Sequence, residues 1–455
     1  MPRILFAGVA AAMTVLLFTT PLQAQSAAAP KAVSQTEQIS ILQKQSEEAY
    51  AAGKWVAFYI ANMNLSELRP YEPEYMVNIV RACGLLDRKS TAYHHMLKMQ
   101  QQGLSFDFNS TEDTLKIRDT EAYEYINQMM IDAGKASGVG EAAFTMPGTP
   151  ADFRAIAWDG SRDRFLLGTM GEGTVIAVSS DGETEVLLKA DDKNGLWSIS
   201  GLAVDLKNNR LWVSSAATPL FSRFSPADTN HGALFELDLE TLEIVGRYNL
   251  PVDGLKHEPG SLAVTDDGHV YVINRAAPII YRKTPEGDRL EAFFASPNLL
   301  ALRDIAVVPD NSRVFVSDAY KGILAIDPIV EQAALLSGPE TMNLGGIKSI
   351  EYVNGMLIVV QGDFEPQRLI RLELDASGAA VQSVAPMAIA LEGFNQPGFG
   401  TLQGERLYYF ANSGADDAEG AIVMSTPLDA GVEAAPPDMA QFGEAIKAHQ
   451  QQNKD

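Results

Sequence analysis

Cysteine is all but absent from this chain: Cys83 stands alone among 455 residues. No intramolecular disulfide, no paired-thiol haem attachment and no cysteine-based metal cluster can form from one thiol, and its place in an apolar helical run reads as a small buried hydrophobe. Histidine is scarce as well, with six in the chain. There is no H-E-x-x-H helix, no G-x-S-x-G turn, no G-x-x-x-x-G-K-[ST] phosphate loop and no calcium-loop spacing, which removes the commonest metalloprotease, hydrolase and nucleotide-binding readings. Positive charge is in deficit: 35 Lys and Arg face 58 Asp and Glu, for a formal charge of −23. The basic residues are scattered rather than clustered, which argues against nucleic acid or an anionic membrane as partner and reads as a solubilising surface.

Long apolar runs are confined to the start. ILFAGVAAAMTVLLF follows Arg3 and precedes Pro21 and the small-residue exit at Leu22, Gln23 and Ala24. Residues 1–24 are therefore expected to be a cleavable secretory signal, with no membrane span anywhere and a periplasmic or secreted mature protein. Residues 25–37 form an Ala/Ser/Gln/Pro-rich leader.

What the chain has in abundance is one repeated pattern. SGLAVDLKNNRLWVSS, from Ser200, is an apolar run, a turn of Asp, Asn and Lys, and a second apolar run, which is a β-hairpin in sequence form. Variants begin at Phe153 (FRAIAWDGSRDRFLLGT), Gly260 (GSLAVTDDGHVYVINR), Asp304 (DIAVVPDNSRVFVSDA), Ser349 (SIEYVNGMLIVVQGD) and Gly398 (GFGTLQGERLYYFANS), so that equivalent positions recur every 43 to 60 residues. Each hairpin is followed by a third strand, such as GALFELDL from Gly232, and in the first five units by a weaker fourth. Repeats of this length with four strands each predict propeller blades. The sixth unit lacks a fourth strand, whereas GEAAFTMP, Gly140 to Pro147, is an orphan strand ahead of the first hairpin. Pairing it into the last blade would close the ring and leave no free edge. The expected fold is mainly β: a six-bladed propeller over residues 140–430.

Ahead of it the period is helical. Residues 38–137 read as two helix pairs and a capping helix from Thr120. The first pair, with AYAAGKW and Gly53 at the turn and Pro70 ending the second helix, resembles a tetratricopeptide repeat; the second turns at Leu86, Asp87 and Arg88. The aromatics Trp55, Tyr59 and Tyr75 are either inter-helix packing or the lining of a docking groove. Residues 431–455 are an Ala/Pro linker and a short polar helix.

With the hairpins aligned, LWVSSAA, GALFELDL, VFVSDAYKGILAID, LIVVQGDFEPQRLIRLELD and YYFANS resemble the senescence marker protein and gluconolactonase-like propellers, in particular exported bacterial members. In those relatives acidic and amide side chains at the starts of the inner strands hold a divalent cation that polarises a lactone. The equivalent positions here are Arg154, Ser200, Gly260, Arg303, Lys348 and Pro397, and FNQPGFG carries Asn395 and Gln396 where the family usually has Asp-Glu. The resemblance therefore implies the fold, while the substitutions predict a binding module with no cofactor. A small anionic ligand or an acidic envelope partner would be held by Arg154, Ser200, Arg303, Lys348 and Gln396, with Phe221 and Phe224 of the blade-2 insertion either overhanging the channel or packing on its rim. The alternative is a metal-dependent lactonase or esterase, binding calcium or another divalent cation. If the register slips by one residue, Asp152, Glu258 and Asp304 would line the channel as its ligands. His231 and His257, at loop mouths, are then the candidate bases.

Overall fold

The computed structural model describes residues 34–251, 253–415 and 420–432. The signal, most of the leader and the C-terminal helix expected from the sequence lie outside the described residues. The described residues from Gln35 on form one compact unit.

Six antiparallel sheets follow one another along the chain. Their inner strands are Phe153–Asp159, Ser198–Asp205, Pro259–Val264, Leu302–Val307, Ile347–Val353 and Gly400–Gln403. Every inner hairpin turns through a left-handed residue that tolerates this conformation: Asp163, Asn209, Gly268, Asn311, Asn354 with Gly355, and Gly404 all have positive φ. These are the Asp, Asn and Gly positions that mark the repeat in the sequence, and the backbone explains why they recur. The apolar faces of neighbouring blades meet in six separate seams, for example Ala155, Val175, Leu211 and Phe235 between the first and second blades, and Tyr271, Ile280, Val314 and Ile326 between the third and fourth.

Ring closure follows the expectation. Glu141–Met146 is the outer strand of the sixth blade and pairs antiparallel with Ala421–Pro427, with Met146 opposite Ala421 and Glu141 opposite Ser425. The structure adds a feature with no periodicity to reveal it. The two-residue strand Ser137–Gly138 pairs with the outer strand Val381–Ile389 of the fifth blade. Gly138 has φ +92, and a Cβ there would lie 2.3 Å from the Met387 carbonyl oxygen, so only glycine allows this approach.

The helical region comprises α1 (Gln35–Ala51), α2 (Trp55–Leu68), α3 (Pro73–Leu85), α4 (Lys89–Gln101) and α5 (Glu121–Asp132). Its two hairpins turn at Gly53 and Asp87, both left-handed, as helix C-termini require. Trp55 meets the Tyr50 ring at 5.7 Å and Tyr75 is buried, its hydroxyl accepting from Gln43 at 3.0 Å. These aromatics are inter-helix packing.

The helices dock on the fourth and fifth blades. Tyr71 joins the seam between those blades, Phe364 joins the helical core, and the Arg69 guanidinium lies 3.8 Å over the Tyr320 ring. At the centre of the contact is Arg368, 5% exposed, whose Nε donates to Gln361 Oε1 at 2.7 Å and whose Nη1 donates to the carbonyls of Gln102 at 2.9 Å and Gly103 at 2.8 Å. Those carbonyls close the C-terminal end of α4, the negative end of its dipole. They stand in for a counterion, and burial still draws the guanidinium down to about 10. Replacing Arg368 by Met retains the stem and removes charge-assisted bonds that contribute about 1.5 to 3 kcal/mol each. The variant is expected to release the helical region to limited proteolysis while the propeller stays resistant; equal protease resistance of variant and wild type would show that the clamp is dispensable.

Candidate functional site

Five of the six inner strands begin with a shift in register. The breaks fall between Phe153 and Ala155, Ile199 and Gly201, Pro259 and Leu262, Leu302 and Ile305, and Ile347 and Ser349. Arg154, Ser200, Gly260, Arg303 and Lys348 are at these bulges. A bulge re-aims the side chains around it, and one residue from each of the two alignments read from the sequence, Arg154 and Asp304, lines the same central channel of about 290 Å³. Pro397 lies ahead of the sixth strand, its carbonyl oxygen 2.1 Å from where a Gly362 Cβ would be.

The basic residues do gather at one mouth of the channel, but with acids among them. Lys348 Nζ lies 2.6 Å from Asp363 Oδ1, and Arg303 Nη2 lies 3.6 Å from Asp363 Oδ2. Asp363 is held by its amide donating to the Gly346 carbonyl. Arg303 Nε is buried with no hydrogen-bond partner among the described residues. Arg154 Nε donates to the Ala151 carbonyl at 3.2 Å. Its guanidinium is lowered from the ordinary range by burial, an effect that Glu258 opposes and Arg303 adds to.

A fourth cation, Arg275, escaped the sequence reading. Gly260 offers no side chain, and the Arg275 stem fills the space: a Cβ at 260 would lie 2.6 Å from Arg275 Cγ. Burial and then Arg154 lower Arg275, with Glu258 opposing. Arg154 and Arg275 have no carboxylate within 4 Å among the described residues, whereas Arg303 and Lys348 share one. The pairing of a bare glycine at the strand start with a basic residue after the second strand was the available signal.

Deeper in the channel are two carboxyls. Asp304 Oδ2 accepts from the Ile350 amide at 2.8 Å. Burial pushes Asp304 up to about 6 against hydrogen bonds from Ile350, Ser349 and Ser261. Glu351 reaches the lumen below it and is pushed well above the carboxylate range by burial and then by Asp304.

The remaining predicted residues are elsewhere. Ser200 is fully buried and donates to the Pro259 carbonyl, so it belongs to the seam between the second and third blades and not to the channel. Phe221 is 5% exposed and packs with Ile199 and Phe235, and Phe224 packs against the same cluster. The insertion is rim packing rather than a lid, because its aromatics complete a core. Gln396 is exposed at φ +56 with its stem beneath Gly414, and takes its place in the loop between the fifth and sixth blades through its amide, which donates to Gln367 Oε1 at 3.0 Å. His231 is exposed, its ring 5.7 Å from that of Trp197.

His257 is buried, with Nε2 2.7 Å from Asp253 Oδ1 and Nδ1 3.0 Å from the Tyr281 hydroxyl. Both ring nitrogens are engaged and no face is open to a substrate. Asn274, 3.4 Å from the ring, accepts from the Glu258 amide at 2.9 Å. His257 thereby holds the loop that presents Glu258. Asp152 accepts from the Gly171 amide. Asp152, Glu258 and Asp304 do not converge: among the described residues no three His, Cys, Asp or Glu are placed to hold a metal ion. The donor set does not fit the divalent cation that the resemblance implies.

No family model matches the chain, and no curated protein matches it. Solved structures similar to it include a gluconolactonase from Xanthomonas campestris, 16% identical, covering 64% of this chain and 98% of that one with a TM-score of 0.43. The PQQ-bound aldose sugar dehydrogenase of Streptomyces coelicolor is 14% identical over 65% and 99%, with a TM-score of 0.46. A streptogramin B lyase is 10% identical over 64% and 98%, with a TM-score of 0.43. At these identities the likeness is one of fold.

The raised carboxyl makes a signed prediction. Asp304 has a folded pKa of about 6 against an ordinary 3.8, so between those values the folded protein holds a proton that the unfolded chain releases. Its contribution to stability is present at low pH and is lost as pH rises through about 6, for about 3 kcal/mol at most. The melting temperature of Asp304→Asn, relative to wild type, is expected to climb from about pH 4 to about pH 7. A difference independent of pH would refute the raised pKa.

Proposed function

We propose that the channel mouth is an anion-binding site, and that the protein is an exported binding module whose helical hairpins serve to dock a protein partner. The observation that supports this reading is the pair of guanidiniums, Arg154 and Arg275, which face the mouth with no carboxylate within 4 Å among the described residues, beside an Arg303 Nε that lacks an acceptor. Clustered cations held below their ordinary pKa by burial and mutual repulsion are stabilised when an oxyanion joins them. Planar guanidinium forks suit carboxylate or phosphate better than a lone ammonium does. Arg303 and Lys348, sharing the one carboxylate of Asp363, form a half-neutralised wall next to them.

The runner-up, a metal-dependent lactone or ester hydrolase, requires oxygen ligands that converge, and the acidic residues at this mouth are dispersed among cations.

A thermal-shift panel separates the two. Phosphate and succinate, well above their dissociation constants, are expected to raise the wild-type melting temperature by about 3 °C or more, and Arg154→Ala and Arg275→Ala to remove most of that effect. Stabilisation by calcium with no response to either anion would favour the hydrolase.

A further inference from the structure

The mouth carries unpaired charge of both signs. Glu258 influences Arg154 and Arg275, yet is within 4 Å of neither, nor of any other cation among the described residues, because its loop is fixed by Asn274 and His257. A second carboxylate comes from the helical region. Glu72 is the residue before α3, half-buried, and makes no capping hydrogen bond. Its neighbour Tyr71 is seated on Gly345, where a Cβ would lie 2.3 Å from the Tyr71 carbonyl oxygen. The next residue, Gly346, accepts from the amides of Gly362 and Asp363. The α2–α3 turn is thus locked against the loop that bears Asp363, at the edge of the basic cluster. Burial raises the Glu72 carboxyl, opposed by the Glu74 amide and the Arg69 guanidinium, with Glu74 and lastly Asp363 adding to the rise; a carboxylate so placed is stabilised by an incoming cation.

We propose that the site takes a small dipolar ligand, one carrying both a carboxylate and an ammonium, with the carboxylate on Arg154 and Arg275 and the ammonium facing Glu72 and Glu258. This rests on the anion-binding reading and narrows it. A further observation favours it. The chain as a whole has a formal charge of −23, which repels a simple anion over about a Debye length, roughly 8 to 10 Å, whereas a ligand of zero net charge approaches without that barrier. Glu72 is on this account a specificity-determining residue, and the helical region is one wall of the site.

The test is titration calorimetry of the full mature chain with acetate, methylammonium, glycine, β-alanine and γ-aminobutyrate, the three amino acids spanning different charge separations. At least one of them is expected to bind about tenfold more tightly than acetate, the worth of one added charge-assisted hydrogen bond. Glu72→Gln and Glu258→Gln, on separate elements so that one folding failure leaves the other informative, should reduce that preference without weakening acetate. Arg275→Ala should abolish binding of both kinds. If acetate binds wild type as tightly as every amino acid, the dipolar assignment is wrong and the anion site stands. If no carboxylate binds, both are wrong. If the preference survives in both glutamate variants, these carboxylates are not the ammonium partners.

Discussion

A ring of six twisted sheets has one seam that the chain does not close merely by running on, and the strand Glu141–Met146 bridges it. Every blade needs two neighbours to bury its faces. Without this strand the last blade would end on the unpaired edge of Ala421–Pro427, a template for association with other chains. Closure also fixes what precedes it. The chain enters the ring through Ser137–Gly138 on the fifth blade, crosses to the sixth, and starts the first blade at Phe153. The fifth and sixth blades are therefore laced together by one short segment, and the helical region that comes immediately before it is delivered beside the fourth and fifth blades. Aromatic packing completes the seam, with Phe165 4.6 Å from Tyr408 and Phe153 5.8 Å from Phe410.

The site is a consequence of how the inner strands start. In a regular strand successive side chains point to opposite faces, and a carboxylate at 304 would exclude its neighbour at 303 from the same surroundings. The bulges relax that alternation. Arg303 reaches Asp363 at the mouth while Asp304 is buried in the channel beneath it. Cations at the rim and protonatable carboxyls below them form a gradient of environment along one axis. The second strands of the third, fourth and fifth blades support it from behind, each ending in a buried polar residue: Asn274 and Asp318 accept two or more backbone amides each from the adjoining loops, and Gln361 donates to the Asn343 and Gly345 carbonyls. These are the polar positions that make the repeat conspicuous. Their work is to hold loops, which leaves the ligand-facing chemistry to other residues.

This division explains what could be read from the sequence. The blades, their hairpins and the closing strand are local patterns with a fixed period, and Asn209, Asn311 and Gly268 mark them because the left-handed turn admits few other residues. Arg154, Arg303 and Lys348 were recoverable because they occupy equivalent places in the repeat. Ser200 holds the same place and is turned into a seam, a difference that depends on Gly260 and Pro259 of the next blade. Phe221 was ambiguous for a similar reason, since an aromatic in an insertion packs wherever a cavity exists, and this one lies over Ile199 and Phe235. Arg275, Asp363 and Glu72 reach the mouth from loops with no periodicity, by contacts between residues far apart in sequence. Within a blade only the bare Gly260 pointed to Arg275, and nothing comparable marked Asp363 or Glu72.

Arg368 decides whether the helical region can be a wall at all. A wall must hold its position in every state of the ligand, and a salt bridge across the domain boundary would answer to pH and salt. Arg368 is instead opposed by neutral carbonyls at the end of α4 and by Gln361. Its guanidinium, though drawn down to about 10 by burial, stays charged throughout the neutral range, and no partner in the contact titrates there. Breaking the contact would forfeit the two charge-assisted bonds to the end of α4, about 1.5 to 3 kcal/mol each, so the docked arrangement persists whether the mouth is empty or filled. The α2–α3 turn then keeps Glu72 in place by rigid geometry, and selectivity at the mouth comes from preorganisation rather than from closure around the ligand.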